Sequence, residues 1–274
     1  MERARAIVCA AAVAVAAVPA LAFGPKQNGL SWPGLAHLRP RTGVPHAKGL
    51  REAKRFDAYR GVAAWIDIYN RRPWRWPNNA VRRMSARGVE TLFLQTGNYS
   101  SRGAVHRPRA AARFIAAAHR RGMRVVGWYL PGFRRMGLDT RRTLAAVRFR
   151  GPHGERFDSF SLDIESSIVD SIARRNKRLL RLSDRLRREV GSSYPLGAIV
   201  PDRGPLYWPN FPYRRVGRRY DVFLPMAYFT FRAHGRARVN RYITRNIRTI
   251  RRKVSDRKVP IHVIGGIAGY TTEG

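Results

Sequence analysis

The chain has 274 residues, of which 44% are apolar and 11% aromatic, enough to build a core and to exclude wholesale disorder. Its 54 Lys and Arg stand against 17 Asp and Glu, a formal charge of +37, and its single cysteine excludes an intramolecular disulfide and a thiolate zinc cluster. Residues 1–22 read as a secretory signal peptide: Arg3 and Arg5, an apolar run from Ala6 to Val18, Pro19, and the small-x-small site Ala20-Leu21-Ala22. The run is short for a bilayer span. Cys9 lies inside it, so cleavage leaves a chain without cysteine and without a membrane anchor. The expected location is secreted or cell-wall associated. Residues 23–58, with many Pro, Gly and basic residues, read as a linker or N-terminal extension.

From Tyr59 onward one unit repeats. Gly61–Tyr69 is strand-like, Asn78–Arg87 is helical, and Gly88 stops it. A strand at Glu90–Gln95 precedes a helix at Pro108–Arg121, with Pro at its start and Gly122 at its end. Arg124–Leu130 is a strand and Thr140–Phe149 a helix. Phe157–Glu165 is a strand, followed by a long helix over Val169–Val190. Pro195–Val200, Asp221–Tyr228 and Val259–Ile264 are further strands, with the Asn240–Val254 helix before the last. Near-continuous apolar strands alternating with helices predict a parallel sheet covered by helices. No G-x-G-x-x-G follows the first strand, which disfavours a dinucleotide-binding fold. The expected class is α/β, a (β/α)8 TIM barrel over 59–274. Seven strands are visible, so the barrel is incomplete at the C-terminus or the chain is truncated.

Only six of the basic residues are Lys; the rest are Arg. In Asn240–Val254, Ile243, Ile247, Ile250 and Val254 form a helical stripe, and Arg241, Arg245, Arg248 and Arg252 lie opposite. The charge therefore reads first as a solvated basic surface. An anionic wall polymer is the next reading, and specific nucleic acid binding is not expected because no recognised motif accompanies the charge.

Acidic residues are scarce, so their positions carry information. Along Asp158-Ser159-Phe160-Ser161-Leu162-Asp163-Ile164-Glu165, Phe160, Leu162 and Ile164 face one side and Ser161, Asp163 and Glu165 the other. In a barrel the apolar set meets the helices and the polar set lines the interior. Glu165 then stands at the C-terminal end of a strand, where barrel active sites lie. A buried Glu beside an Asp should have the raised pKa of a general acid; the alternative is a structural pair bound to Arg. Trp65 and Asp67 share one face of the first strand. Gln95, Trp128 with Tyr129, and Met226 with Tyr228 end later strands. Aromatics stack on sugar faces, and a carboxylate or amide grips hydroxyls. Trp208, in Pro205-Leu206-Tyr207-Trp208-Pro209, either forms a sugar-binding loop or pins that loop down.

These residues resemble a known family. The stretch Asp158–Glu165 is similar to the D-G-x-D-x-D-x-E of glycoside hydrolase family 18, the chitinase-like enzymes, with Ser159 and Ser161 in place of Gly and the middle Asp. Met226-Ala227-Tyr228-Phe229 resembles that family's M-x-Y-D, with Phe for Asp. The resemblance implies a hydrolase acting on an N-acetylhexosamine polysaccharide. Glu165 would be the general acid, Asp163 would orient the substrate acetamide as nucleophile, and Tyr228 would hydrogen-bond it. From their placement at strand ends and in the aromatic loop, and not from the resemblance, Asp67, Trp65, Gln95, Trp128, Tyr129, Met226 and Trp208 are expected to bind substrate. Leu162-Asp163-Ile164-Glu165 together with Asp67 also resembles family 25 lysozymes, for which the substrate would be peptidoglycan. A non-catalytic glycan- or wall-binding barrel is the remaining reading, motivated by the acids missing at 161 and 229.

No metal and no cofactor are expected, because the seven His show no H-x-H or H-E-x-x-H spacing. His119 and His262 read as structural. A monomer is the expected state.

Overall fold

The computed structural model describes residues 56–202, 208–230 and 232–265. The expected signal peptide, the expected linker up to residue 55, Pro205–Tyr207 and the stretch after Gly265 lie outside the described residues.

A 3-10 turn, Asp57–Tyr59, leads into β1 (Ala63–Ile66). Two helices follow, α1 (Arg71–Arg75) and α2 (Pro77–Ser85). Then come β2 (Thr91–Asn98), α3 (Pro108–His119), β3 (Arg124–Leu130), α4 (Met136–Val147) and β4 (Ser159–Asp163). The chain continues through α5 (Ile172–Val190), β5 (Leu196–Pro201), α6 (Tyr213–Gly217), β6 (Val222–Met226) and α7 (Arg236–Val254). The strands lie in the order β1-β2-β3-β4-β5-β6 and every pairing is parallel. This is the alternating α/β architecture of a TIM barrel, incomplete within the described residues.

The expected seventh strand, Val259–Ile264, is present only as two isolated parallel bridges, Phe223 with Ile261 and Met226 with Ile264. Pro260 lies in this segment and has no N–H to give to a ladder, although its carbonyl accepts from Phe223 N. The expected linker also ends earlier than 58. Ala58 is buried, and Phe56 packs against the barrel interior.

The expected helices are present with shifted ends: the one expected over Thr140–Phe149 runs from Met136 to Val147, and the long one starts at Ile172 rather than Val169. Ser171 caps α5 by accepting from Arg174 N at 3.3 Å, and Gly191 ends it at φ 70. The buried residues of α5 include Leu179, Leu182 and Leu186, the spacing of a one-sided stripe. On α7, Tyr242, Asn246 and Ile250 face inward, while Arg241, Arg245, Arg248 and Arg252 are all exposed.

Strand alternation sorts the side chains into two layers. Leu92, Leu94 and Val125 pack with α3 residues such as Phe114 and Ile115. Phe160, Leu162, Ile164, Leu196, Ala198 and Val200 pack with α5 residues. Facing inward, Trp65, Phe93, Val126, Trp128, Ile199, Val222, Leu224 and Met226 fill the interior. Trp65 stacks on Phe93 with ring centroids 4.1 Å apart, and Trp128 lies 5.8 Å from Trp65. This interior is a packed core rather than a pore.

Tyr59 ties the floor of the curl together. Its hydroxyl lies 2.6 Å from Ser159 Oγ and 3.2 Å from Ser161 Oγ, both on β4. Its carbonyl accepts a hydrogen bond from His262 Nδ1 at 2.9 Å. One residue before β1 thus joins β4 to the segment after β6. Gly197 on β5 makes room for it: a Cβ there would press on Ser161 Oγ, on Leu224 Cδ1 and on the Tyr59 hydroxyl. Gly197→Ala is therefore expected to destabilise the fold by about 1–3 kcal/mol through overpacking. A fall in the urea midpoint at unchanged m-value checks this.

Candidate functional site

The polar face of β4 is the chemical centre of the interior. Ser159 and Ser161 are taken up by Tyr59. Asp163 follows on the same face, 6% exposed, and its Oδ1 makes no hydrogen bond. Glu165 lies just past the strand's C-terminal end and is partly exposed. Burial, followed by the charge of Glu165, pushes the Asp163 carboxyl well above its ordinary range. Burial alone raises Glu165 to about 7. The two carboxyls are coupled, so near neutral pH the pair holds protons that free carboxyls would have lost.

The remaining expected site residues divide into two groups. Trp65, Trp128, Met226 and Tyr228 pack in the apolar interior with Phe93, Ile199 and Leu224. Asp67 and Gln95 stand at the same rim but are engaged in shaping it. Asp67 Oδ1 accepts from the N–H groups of Tyr69 and Asn70 at 2.7 and 2.9 Å. Gln95 Oε1 accepts from Ile68 N at 2.9 Å, tying the end of β1 to β2.

Two expectations need correction. Tyr129 follows Trp128 on β3, so it points to the opposite side. It is wholly buried among Phe160, Leu162 and the helices, and its hydroxyl donates to Asp139 at 2.8 Å. Trp208 is 1% exposed and packs against Phe133 and Phe211; its Nε1 donates to Asn176 Oδ1 at 2.7 Å. The Arg175 guanidinium lies over its ring. Trp208 presents no free face to a sugar.

The rim also holds residues that the sequence reading did not single out. Tyr69 follows β1 and is 47% exposed. Tyr99 follows β2, lies against Gly132, and has its phenol pKa raised by burial and then by Tyr69 and Glu165. Tyr99 is therefore electrostatically linked both to the general-acid candidate and to Tyr69. Asn98 Nδ2 donates to Tyr69 Oη at 2.9 Å. Buried Arg142 on α4 donates to the carbonyls of Asn98 and Tyr99 at 3.0 and 2.9 Å. Asp139, one turn away, accepts from Gly132 and Phe133 N–H groups. The loops after β2 and β3 are thus held by side chains of one helix. An aromatic residue within three positions of a strand's C-terminal end was the available sequence signal for Tyr69 and Tyr99.

Asp158, the first acid of the family-like stretch, sits at the opposite end of β4. It accepts from Val125 N at 2.7 Å and pairs with His119 at 2.8 Å. Its role is structural, as is that of His119; His262 holds Tyr59. Among the described residues no three His, Cys, Asp or Glu side chains come together as a metal site would require.

No protein-family model matches the sequence, and no characterised protein matches it significantly. Solved structures share the fold. A chitinase from Bacteroides thetaiotaomicron superposes with a TM-score of 0.54 at 11% identity, over 73% of this chain and 65% of that one. The spore cortex-lytic enzyme SleL of Bacillus cereus gives 0.53 at 11% identity, over 74% of this chain and 49% of that one. The endo-1,4-beta-mannanase of Rhizomucor miehei gives 0.55 at 8% identity, over 78% of each. The chain spans about half of SleL and just under two thirds of the chitinase. At these identities the likeness shows the fold alone, a TIM barrel.

The raised carboxyls carry a stability cost with a definite sign. A carboxyl whose folded pKa lies above its unfolded value binds more protons when folded, so its contribution falls as pH rises. For Glu165 the window runs from about 4.5 to about 7; Asp163 extends it upward. Asp163→Asn should therefore be more stable than wild type at pH 8, with the difference shrinking toward pH 4. Urea unfolding of both proteins across that range checks it.

Proposed function

We propose that this chain is a secreted or wall-associated glycoside hydrolase that cleaves a polysaccharide containing N-acetylhexosamine. The observation that carries the reading is Glu165. It is a half-buried carboxyl with a pKa near 7 at the C-terminal end of β4, on the same face as buried Asp163. A general acid must be protonated when substrate binds and must ionise easily, and a pKa near the working pH meets both needs.

In this reading the sugar ring enters over Trp65, Trp128 and Met226. The acetamide N–H of the sugar meets Asp163. That hydrogen bond favours the ionised form of Asp163, and the new negative charge holds the remaining proton on Glu165. Glu165 then protonates the glycosidic oxygen as the acetamide oxygen attacks the anomeric carbon. Tyr228 steadies the acetamide. This is the substrate-assisted route, in which the protein supplies no nucleophile. Peptidoglycan, chitin-like chains and related wall glycans all carry the required group. The cortex-lytic activity named for SleL fits the same class.

A second reading is a glycan-binding barrel without turnover. It is favoured by Ser161, whose hydroxyl is engaged by Tyr59 where the family-like motif has an acid. It is also favoured by Phe229, which packs against Ala233 and Tyr242.

Reducing-end release from chitin oligomers and peptidoglycan separates the two. Glu165→Gln should lower the rate by about 10²–10⁴-fold while far-UV circular dichroism is unchanged. A variant as fast as wild type removes Glu165 from the role. A wild type that binds oligosaccharide and releases nothing selects the binding barrel.

A further inference from the structure

Beside the rim lies a cavity of about 450 Å³, walled by Tyr69, Asn98, Ser100, Arg102, His106 and Arg107 among others. Its lining residues Tyr69 and Asn98 belong to the segments that follow β1 and end β2, at the rim of the barrel. Asn98 holds Tyr69, and the next residue, Tyr99, is within electrostatic reach of Glu165. A glycan lying over Glu165 and extending past Tyr99 would bring its next residues to this cavity.

The charged side chains that line the cavity are all basic. It contains no Asp or Glu. Burial and the neighbouring Arg107 lower the His106 pKa, so its imidazole is neutral and the positive charge comes from Arg102 and Arg107. Both are exposed, and neither makes an ion pair among the described residues. They differ in this from Arg148, Arg187 and Arg219, which are paired with Glu189, Asp221 and Asp184. They also differ from the arginines of α7, which lie on an outer helix face. The Arg107 backbone sits at φ 40, a left-handed conformation uncommon for a residue with a side chain. Its neighbour His106 is fixed by an N–H to Thr96 carbonyl bond of 2.7 Å. A guanidinium fork matches a planar carboxylate with two parallel hydrogen bonds. Tyr69 beside it offers an exposed aromatic ring to a sugar face.

We infer that the cavity formed by Tyr69, Asn98, Ser100, Arg102 and Arg107 is a substrate subsite for a carboxylate carried on the glycan, so that the protein selects acidic over neutral polysaccharide. This rests on the proposed hydrolase reading for the placement of the glycan, and extends it from a sugar class to a charge class.

The test uses two oligosaccharides of equal length, one bearing lactyl carboxylates on its N-acetylhexosamine units and one with those groups amidated. Binding is measured by calorimetry at moderate salt, with wild type, Arg102→Ala/Arg107→Ala, and Arg241→Ala/Arg245→Ala. The last variant loses the same charge from α7. Wild type and the α7 variant should bind the carboxylate form about tenfold more tightly than the amide. The Arg102/Arg107 variant should bind both forms alike. Equal affinity of wild type for the two forms overturns the inference. So does a preference that survives in the Arg102/Arg107 variant, or one lost equally in the α7 variant. Reducing-end release by wild type on the same oligosaccharides is read separately. Its absence, with the charge preference intact, would count against the hydrolase reading alone.

Discussion

The Tyr59 phenol is the crosspiece on which the barrel depends. Six parallel strands curl around an interior, and a curled sheet needs something to fix its curvature from within. Tyr59 reaches from before β1 to Ser159 and Ser161 on β4, while its carbonyl receives His262 from beyond β6. Burial raises its pKa far above any physiological pH, so it stays a neutral donor and acceptor. Each such bond is worth only about 0.5–1.5 kcal/mol net, but an unmet buried hydroxyl would cost more. The Gly197 gap exists because the crosspiece occupies the space a side chain would need.

That arrangement also sets the chemistry above it. With Ser161 committed to Tyr59, the next inward group on β4, Asp163, has no acid below it. Its surroundings are aromatic and aliphatic, with Trp128, Ile199 and Leu224 in the same interior. A carboxyl in such a place keeps its proton, and its one charged neighbour on the strand is Glu165. The fold therefore accepts a destabilising pair at the one point where strand geometry brings it to the rim. Buried groups retained against stability are the usual mark of a functional site.

Much of this was legible in the sequence, for physical reasons. Strands and helices were distinguishable because their apolar periods differ, and β3 was read to the residue. The sorting of β4 into Phe160, Leu162 and Ile164 outward and Asp163 inward followed from alternation alone. Alternation also shows why Tyr129 was misassigned: neighbours on one strand cannot both face the interior, and Trp128 already does. Trp208 could not be placed from sequence because its partners, Phe133, Arg175 and Asn176, lie far away in the chain. The Tyr59 crosspiece, joining residues about a hundred positions apart, left no local signal. The segment around Pro260 had the composition of a strand but lacked a donor where a ladder needs one.

The claim at the centre of this account is that the interior holds Glu165 as a protonatable acid beside Asp163. The most direct measurement is a carbon-13 NMR titration of the side-chain carboxyls, with the Glu165 signal assigned from its disappearance in Glu165→Gln. The account predicts a midpoint near 7 for Glu165, with Asp163 still protonated well above the usual aspartate range. A Glu165 midpoint near 4.5 would contradict it, because the carboxyl would then be an ordinary ionised surface group with no proton to deliver.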